Sequence, residues 1–326
     1  MSDEVIRVEG LRTHFFTDQG VAKAVDGVDF TLRRGEIMGL VGESGSGKSI
    51  TGFSLMGLVD PPGRIVEGSI RFLGEELVGL PEERLRQLRG AKIAMIFQDP
   101  MMTLNPVLRI DTQMIEAVLA HDGCGEKAAR ERCIQALATV GIPSAAERIK
   151  AYPHQFSGGM RQRVAIAIAL LHEPALIVAD EPTTALDVTI QAQILHEMRR
   201  LARATGTALI WITHDLAVIA GLADKVAVMY GGRIVEAGTV AEIVERPMHP
   251  YTKGLIDSVP SHNPRGVPLR QIAGMAPSLL SMPEGCAFRP RCFAATQRCM
   301  EAPENRTIDG GRRIRCHHPL REDVPA

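Results

Sequence analysis

Residues 37–49 read Ile-Met-Gly-Leu-Val-Gly-Glu-Ser-Gly-Ser-Gly-Lys-Ser. An apolar run that meets glycines at once restricts this stretch to a buried strand ending in a tight turn. Gly42 to Ser49 fits G-x-x-x-x-G-K-[ST], and residues 48–58 carry a helical pattern, so the motif has the strand–turn–helix context it requires. Gly42, Gly45 and Gly47 let the backbone curl, so that amides from Ser44 through Ser46 to Ile50 can face one anion. The helix that starts at Lys48 adds the positive end of its dipole. In this arrangement Lys48 reaches the β- and γ-phosphates of a nucleotide and Ser49 ligates Mg2+.

Apolar runs of strand length recur at residues 5–16, 28–32, 64–73 (with Gly68 as a turn), 92–97, 175–179, 208–213 and 225–230. Helical patterns fall at 81–88, with Pro81 in the first position, and at 189–205. Apolar strands alternating with helices predict an α/β protein whose mostly parallel sheet is covered on both faces. Residues 110–172 hold three helical stretches and no convincing strand, which predicts a helical subdomain inserted into that core. Beyond residue 246 prolines recur and periodicity fades, so the tail reads as a separate, loop-rich unit.

Charge and hydropathy narrow the class. The 37 basic and 38 acidic side chains leave a formal charge of −1, against nucleic acid as the main partner, since phosphate backbones demand an excess of Lys and Arg. The longest apolar stretch, 164–171, falls short of the ~20 residues a bilayer span needs. The charged start lacks the apolar segment of a secretory signal, so a cytosolic chain with reduced cysteines is expected.

Two further motifs carry chemistry. The strand Leu-Ile-Val-Ala ends in Asp180-Glu181. Asp180 can hold Mg2+ through water, and Glu181 can accept a proton from water attacking the γ-phosphate. Alone, such a pair also fits a solvated acidic turn; a phosphate-binding loop upstream gives it a partner. Ser157-Gly158-Gly159 opens a helical run, which makes a second anion site from a hydroxyl, two exposed amides and a dipole. Alone, it would equally serve as a flexible helix cap.

Together, Tyr-Pro-His-Gln-Phe-Ser-Gly-Gly-Met-Arg-Gln-Arg, the phosphate loop, Leu-Ile-Val-Ala-Asp-Glu and Thr213-His214-Asp215 resemble the nucleotide-binding subunit of ABC transporters, over about residues 5–245. The resemblance implies a P-loop NTPase core of ABC type with N-terminal antiparallel strands. It makes Ser157, Gly158 and Gly159 the signature motif that meets ATP across a head-to-tail dimer. It makes Phe15 the aromatic that stacks on adenine, with Phe16 beside it, and Gln98 a ligand of Mg2+ and water. Ala185-Leu186-Asp187 is similar to the D-loop, and His214 to the switch histidine that bonds the γ-phosphate. Met160 stands where the family more often has Gln.

A finer resemblance rests on Gln98 to Pro106, the run after Asp180 and His249-Pro250-Tyr251-Thr252. These are similar to the ATPases of oligopeptide and dipeptide importers. That implies an ATP-binding domain over 1–250, with a helical subdomain at about 99–165 and a permease-gripping groove at about 99–155, and an extension over 251–326. It implies a second, different ATPase subunit, two membrane permeases and an extracytoplasmic binding protein, with this chain peripheral on the cytoplasmic face of the inner membrane. Importers of nickel, opines, glutathione or cationic peptides share the architecture, and a soluble ABC ATPase is the rival from another class.

Cys286, Cys292, Cys299 and Cys316 are spaced C-x5-C-x6-C-x16-C, unlike zinc ribbons or bacterial ferredoxins. Seven arginines against three acids lie between the first and last, an excess that favours thiolates. Spacing alone leaves a metal or cluster site open beside simple reduced thiols. The resemblance implies a [4Fe-4S] cluster, with zinc as the alternative and His317 and His318 as substitute ligands. Cys124 and Cys133 show no partner pattern.

Overall fold

The computed structural model describes residues 3–183, 186–259, 263 and 270–320. In chain order these form β1 (Glu4–Thr17), β2 (Gly20–Arg33), β3 (Ile37–Val41), α1 (Lys48–Met56), β4 (Gly63–Phe72), β5 (Glu75–Glu76), α2 (Glu82–Leu88) and β6 (Ile93–Ile96). Then come α3 (Ile110–Leu119), α4 (Glu126–Thr139), α5 (Ala145–Arg148), α6 (Gly158–Leu170), β7 (Leu176–Asp180), α7 (Val188–Thr205), β8 (Ala208–Thr213) and α8 (Leu216–Leu222). The chain continues through β9 (Lys225–Tyr230), β10 (Arg233–Thr239), α9 (Val240–Glu245), α10 (Pro250–Asp257), β11 (Arg306–Thr307) and β12 (Arg313–Ile314). Contacts gather the chain into two units. One comprises Met1–Val5, Leu32–Ile37 and Gly79–Ile210; the other comprises Ile6–Thr31, Met38–Val78 and Trp211–Ala326.

In the first unit β6 and β7 run parallel, with Ile93 opposite Leu176 and Ile96 opposite Ala179. All five residues of β7 are buried, as a continuous apolar run demands of a strand covered on both faces. The inserted helices bury Met114 and Val118 of α3, Ala129, Cys133 and Leu137 of α4, and Val164 to Ala167 of α6. Asp111 is buried among them, at 2.6 Å from Arg109 and 2.8 Å from Arg130. Burial pushes its carboxyl up, but the two guanidiniums and the Thr112 amide win, and its pKa falls below the usual range. On α7, Ile194, Met198 and Ala202 form one buried stripe at intervals of four.

The second unit holds an antiparallel sheet in the order β2-β1-β4-β5. Pairing of β1 with β4 runs from Ile6–Phe72 to Phe15–Gly63 and shifts register between Glu9 and Arg12. Gly68 lies there at φ +104°. The expected turn at Gly68 is therefore a bulge inside one continuous strand. The same unit pairs β3 with β9 in parallel, Met38 to Val41 opposite Lys225 to Val228. β10 lies antiparallel on β9, β12 on β10 with Glu236 opposite Ile314, and β11 on β12.

The tail is loop-rich, as its prolines predict, yet it is tied to β10 rather than standing apart. Pro81 caps α2 from outside instead of filling its first position. Among the described residues no helix is long and apolar enough to cross a membrane.

Candidate nucleotide site

In the second unit, β3 delivers the chain into the loop at Gly42, and α1 begins at Lys48. Two glycines are dictated by close approach. A Cβ on Gly42 would stand 2.2 Å from the Met229 carbonyl oxygen, and one on Gly47 2.1 Å from that of Ala24. Both also adopt positive φ, +157° and +102°, so a side chain would fit neither the backbone nor the space. Lys48 is buried, and its ammonium donates to the carbonyl oxygens of Gly42 at 2.9 Å and Glu43 at 3.0 Å. The Ser46 hydroxyl is buried and has no hydrogen-bond partner among the described residues. A cupped loop with a buried ammonium and an unpartnered hydroxyl suits an anion with several oxygens. Ser49 and Ile50 follow on the first turn of α1.

Phe15 and His214 belong to the same unit as this loop. Phe15 is half-buried, and its ring folds over Gly63, where a Cβ would come within 2.6 Å of it. Phe16 is more exposed and carries the Arg64 guanidinium 4.3 Å above its ring. His214 is exposed directly after β8, while Thr213 and Asp215 close the turn around it and the Asp215 carboxylate caps α8.

In the first unit, parallel β6 and β7 bring Gln98 and Asp180-Glu181 off the same end of the sheet. Asp180 is buried, and Glu181 has a positive φ of 44°, a conformation that costs a residue with a Cβ ~1–3 kcal/mol. Gln98 is exposed. Ser157 caps α6 by accepting from the Met160 amide at 3.3 Å, leaving Gly158 exposed at the helix start. Asp187 caps α7 by accepting from Ile190 at 3.0 Å. Ala185 of the expected D-loop lies outside the described residues.

Sequence reasoning gave Glu43 no role, yet it is the most constrained side chain of the loop. Arg291 donates to both of its carboxylate oxygens, at 2.6 and 2.9 Å, and its own N–H donates to the Tyr251 hydroxyl oxygen at 2.8 Å. Tyr251 belongs to the His-Pro-Tyr-Thr motif, so that motif was the available signal. In it His249 caps α10, its Nδ1 accepting from the Tyr251 amide at 3.0 Å.

All six cysteines are free. Cys133 is a core residue whose thiol burial pushes up to about 11. In the tail, burial raises Cys286 and Cys292, and each is raised further by charge on neighbouring tail thiols. Cys316 is pushed up to about 12, by burial first and then by charge on Cys286, Cys292 and Cys299. Among the described residues, however, no group of three or more His, Cys, Asp or Glu side chains is arranged to hold a metal ion. The expected ligand set is therefore not formed as such.

The strand–loop–helix site on an antiparallel-plus-parallel α/β body, with a helical insert, defines an ABC-type ATPase cassette. Solved structures agree. A dimeric bacterial ABC transporter cassette superposes with a TM-score of 0.66 at 25% identity, covering 72% of this chain and 98% of that one. A cassette of the Clostridium perfringens ABC transporter complex cbiONQ gives 0.63 at 27%, covering 75% and 92%.

The particular family follows from sequence. Residues 25–184 match the ABC transporter family, and residues 235–299 match the C-terminal region of oligopeptide/dipeptide transporters. The oligopeptide transport ATP-binding protein OppD of Salmonella typhimurium is 49% identical over 98% of this chain and 95% of its own length. The dipeptide transport ATP-binding protein DppD of Bacillus subtilis is 50% identical over 89% and 87%. The chain belongs to the ATP-binding proteins of the oligopeptide/dipeptide ABC transporter family, and it is an ABC ATPase.

Proposed function

We propose that this chain is the ATP-hydrolysing subunit of an importer that drives di- or oligopeptides across the inner membrane through partner permeases. The observation that carries this reading is the near-full-length match to oligopeptide and dipeptide transport ATP-binding proteins. Residues 1–250 would form the ATP-binding domain, with the helical subdomain at about 99–165 gripping the permeases and 251–326 as the extension. The working assembly would pair this chain with a second, different ATPase, two permeases and an extracytoplasmic binding protein, on the cytoplasmic face.

In that assembly Gly42 to Ile50 hold the phosphates, Lys48 clamps the β- and γ-groups, and Ser49, Gln98 and Asp180 hold Mg2+. Glu181 takes the proton of attacking water, and His214 senses the γ-phosphate. Phe15 stacks on adenine. Ser157, Gly158, Gly159 and Asp187 complete the site across the dimer. The exposed start of α6 supports this, since a signature loop must be free to meet a second subunit's nucleotide. The strained backbone of Glu181 supports its role, because such strain concentrates where a side chain must be aimed.

We keep the four tail cysteines as proposed donors to a [4Fe-4S] cluster before zinc, although among the described residues they are not arranged to hold a metal ion. Four soft donors within an arginine-rich segment support that assignment. When bound, the cluster would cross-link the loops that carry Cys286, Cys292, Cys299 and Cys316.

The test is reconstitution with candidate permeases in vesicles. ATP turnover that rises when a peptide-loaded binding protein is added supports the reading. Stable assembly with permeases, but stimulation only by a non-peptide solute, overturns the substrate class.

A further inference from the structure

Glu43, second in the phosphate loop, has three of its groups held. Its carbonyl oxygen accepts from Lys48 at 3.0 Å. Its N–H donates to the Tyr251 hydroxyl at 2.8 Å. Its carboxylate receives the forked guanidinium of Arg291, whose side chain is only 5% exposed. Arg291 is itself fixed, donating to the Tyr230 hydroxyl at 3.3 Å and lying near the faces of Tyr230 and Phe288. The rings of Tyr230, Tyr251 and Phe288 pack mutually, with centroids 4.6 to 5.3 Å apart. Tyr251 and Arg291 both come from residues beyond 250, and Phe288 and Arg291 lie between Cys286 and Cys292.

We propose that Arg291 and Tyr251 are positioning residues for ATP, through which the cysteine-bearing tail sets the nucleotide affinity of the phosphate loop. The inference rests on the reading of that loop as the ATP site. Two physical effects combine. A carboxylate at the mouth of a phosphate site repels the incoming anion, and the bidentate fork neutralises it in a poorly solvated place. The Tyr251 hydroxyl and the Arg291 fork also pin the Glu43 peptide, whose carbonyl oxygen orients the Lys48 ammonium. The loop is thereby shaped before phosphate arrives, so binding need not order it.

The experiment measures the dissociation constant of a fluorescent ATP analogue with the full chain, and KM and kcat for ATP in the assembled transporter. Arg291→Gln is expected to weaken binding on the order of ten-fold, the range usual for coupled sites, and to raise KM with far less effect on kcat. Arg291→Lys should recover only part, because an ammonium supplies charge without the fork. Tyr251→Phe leaves the ion pair and frees the Glu43 amide, so it should give a smaller rise. If Arg291→Gln does not fold, Arg291→Lys, which keeps the charge and loses the fork, and Tyr251→Phe, which leaves the ion pair intact, should still weaken binding.

Lys48→Ala in the same assay separates the two claims. A wild-type chain that binds no ATP overturns the reading of the loop. Wild-type binding that Lys48→Ala weakens, with Arg291→Gln, Arg291→Lys and Tyr251→Phe all unchanged, overturns the positioning role alone. A fall in kcat at constant KM overturns it as well.

Discussion

Arg312 donates to the carboxylate of Glu236 inside the fold, where the Glu236 side chain is 0% exposed and that of Arg312 6%. Glu236 also accepts from the amides of Met248 and His249, at 2.9 and 3.0 Å, and Arg312 donates to the Arg246 carbonyl at 2.6 Å. The pair ties the tail to β10, opposite whose Glu236 the tail residue Ile314 is registered. Arg312→Met would leave a buried carboxylate with two amides and no cation. It should cost ~3–5 kcal/mol, the usual penalty for breaking a buried pair from one side. Glu236→Gln combined with Arg312→Met should cost less than Arg312→Met alone. Urea unfolding of the full chain measures both, and a loss under ~1 kcal/mol for Arg312→Met would show the pair to be no stronger than a surface bridge.

His249 gives a pH signature. Burial lowers its pKa to about 3, and its Nδ1 already accepts from the Tyr251 amide. In the unfolded chain the ring takes a proton below pH ~6.5, while in the fold it stays neutral down to about 3. This contribution to stability is therefore present above pH ~6.5 and is lost as the pH falls, by ~1.4 kcal/mol per unit. Between pH 6.5 and 5 the loss should reach ~2 kcal/mol. His249→Asn keeps a capping acceptor and removes the titration, so its stability should fall less steeply over that range. Parallel curves for the two proteins would rule the contribution out.

Much of this was written in local patterns. The apolar run 37–41 and strands 208–213 and 225–230 stand where periodicity puts them, because fully buried strands need nothing but apolar length and a turn on either side. β10 escaped notice because Arg233 and Glu236 interrupt its pattern, and Glu236 is tolerated in the core only through an arginine some 76 residues away in sequence. The same long-range logic hid Glu43. A glutamate in a phosphate loop reads as a solvated filler position until Arg291, 248 residues on, is placed against it. Motif spacing captures chemistry carried by neighbours in sequence; ion pairs closed by the fold leave no such trace.

Lys48→Ala should weaken ATP binding by ~10- to 100-fold, the worth of charge-assisted hydrogen bonds to phosphate oxygens. Because the Lys48 ammonium now bonds two loop carbonyls, thermal stability without nucleotide should fall as well. Equilibrium binding and a melting curve report the two effects separately, and unchanged affinity would remove Lys48 from the site.

Glu181→Gln keeps the shape and backbone of the residue but cannot accept a proton. In an assembly whose other ATP site is also blocked, turnover should drop by ~10²–10⁴-fold while ATP binding persists. Single-turnover hydrolysis is the measurement. Wild-type turnover would assign water activation elsewhere and leave the positive φ of Glu181 as a purely structural feature.

The tail thiols make an opposite demand on charge. Burial and mutual proximity hold Cys286, Cys292 and Cys316 protonated well above neutral pH, with Cys316 pushed up to about 12. Four thiolates could coexist there only against compensating positive charge, which the local arginines supply in part and a bound cation or iron cluster would complete. On the proposed cluster reading, chain purified without oxygen should contain iron and acid-labile sulfide, with uptake that releases protons and strengthens as pH rises. Cys299→Ser, at a buried position, should lower the iron content and destabilise the tail. Stoichiometric zinc without iron would replace the cluster by a zinc site. Neither metal, with all four thiols titratable by an alkylating reagent after unfolding, would make them packing residues held by the fold alone.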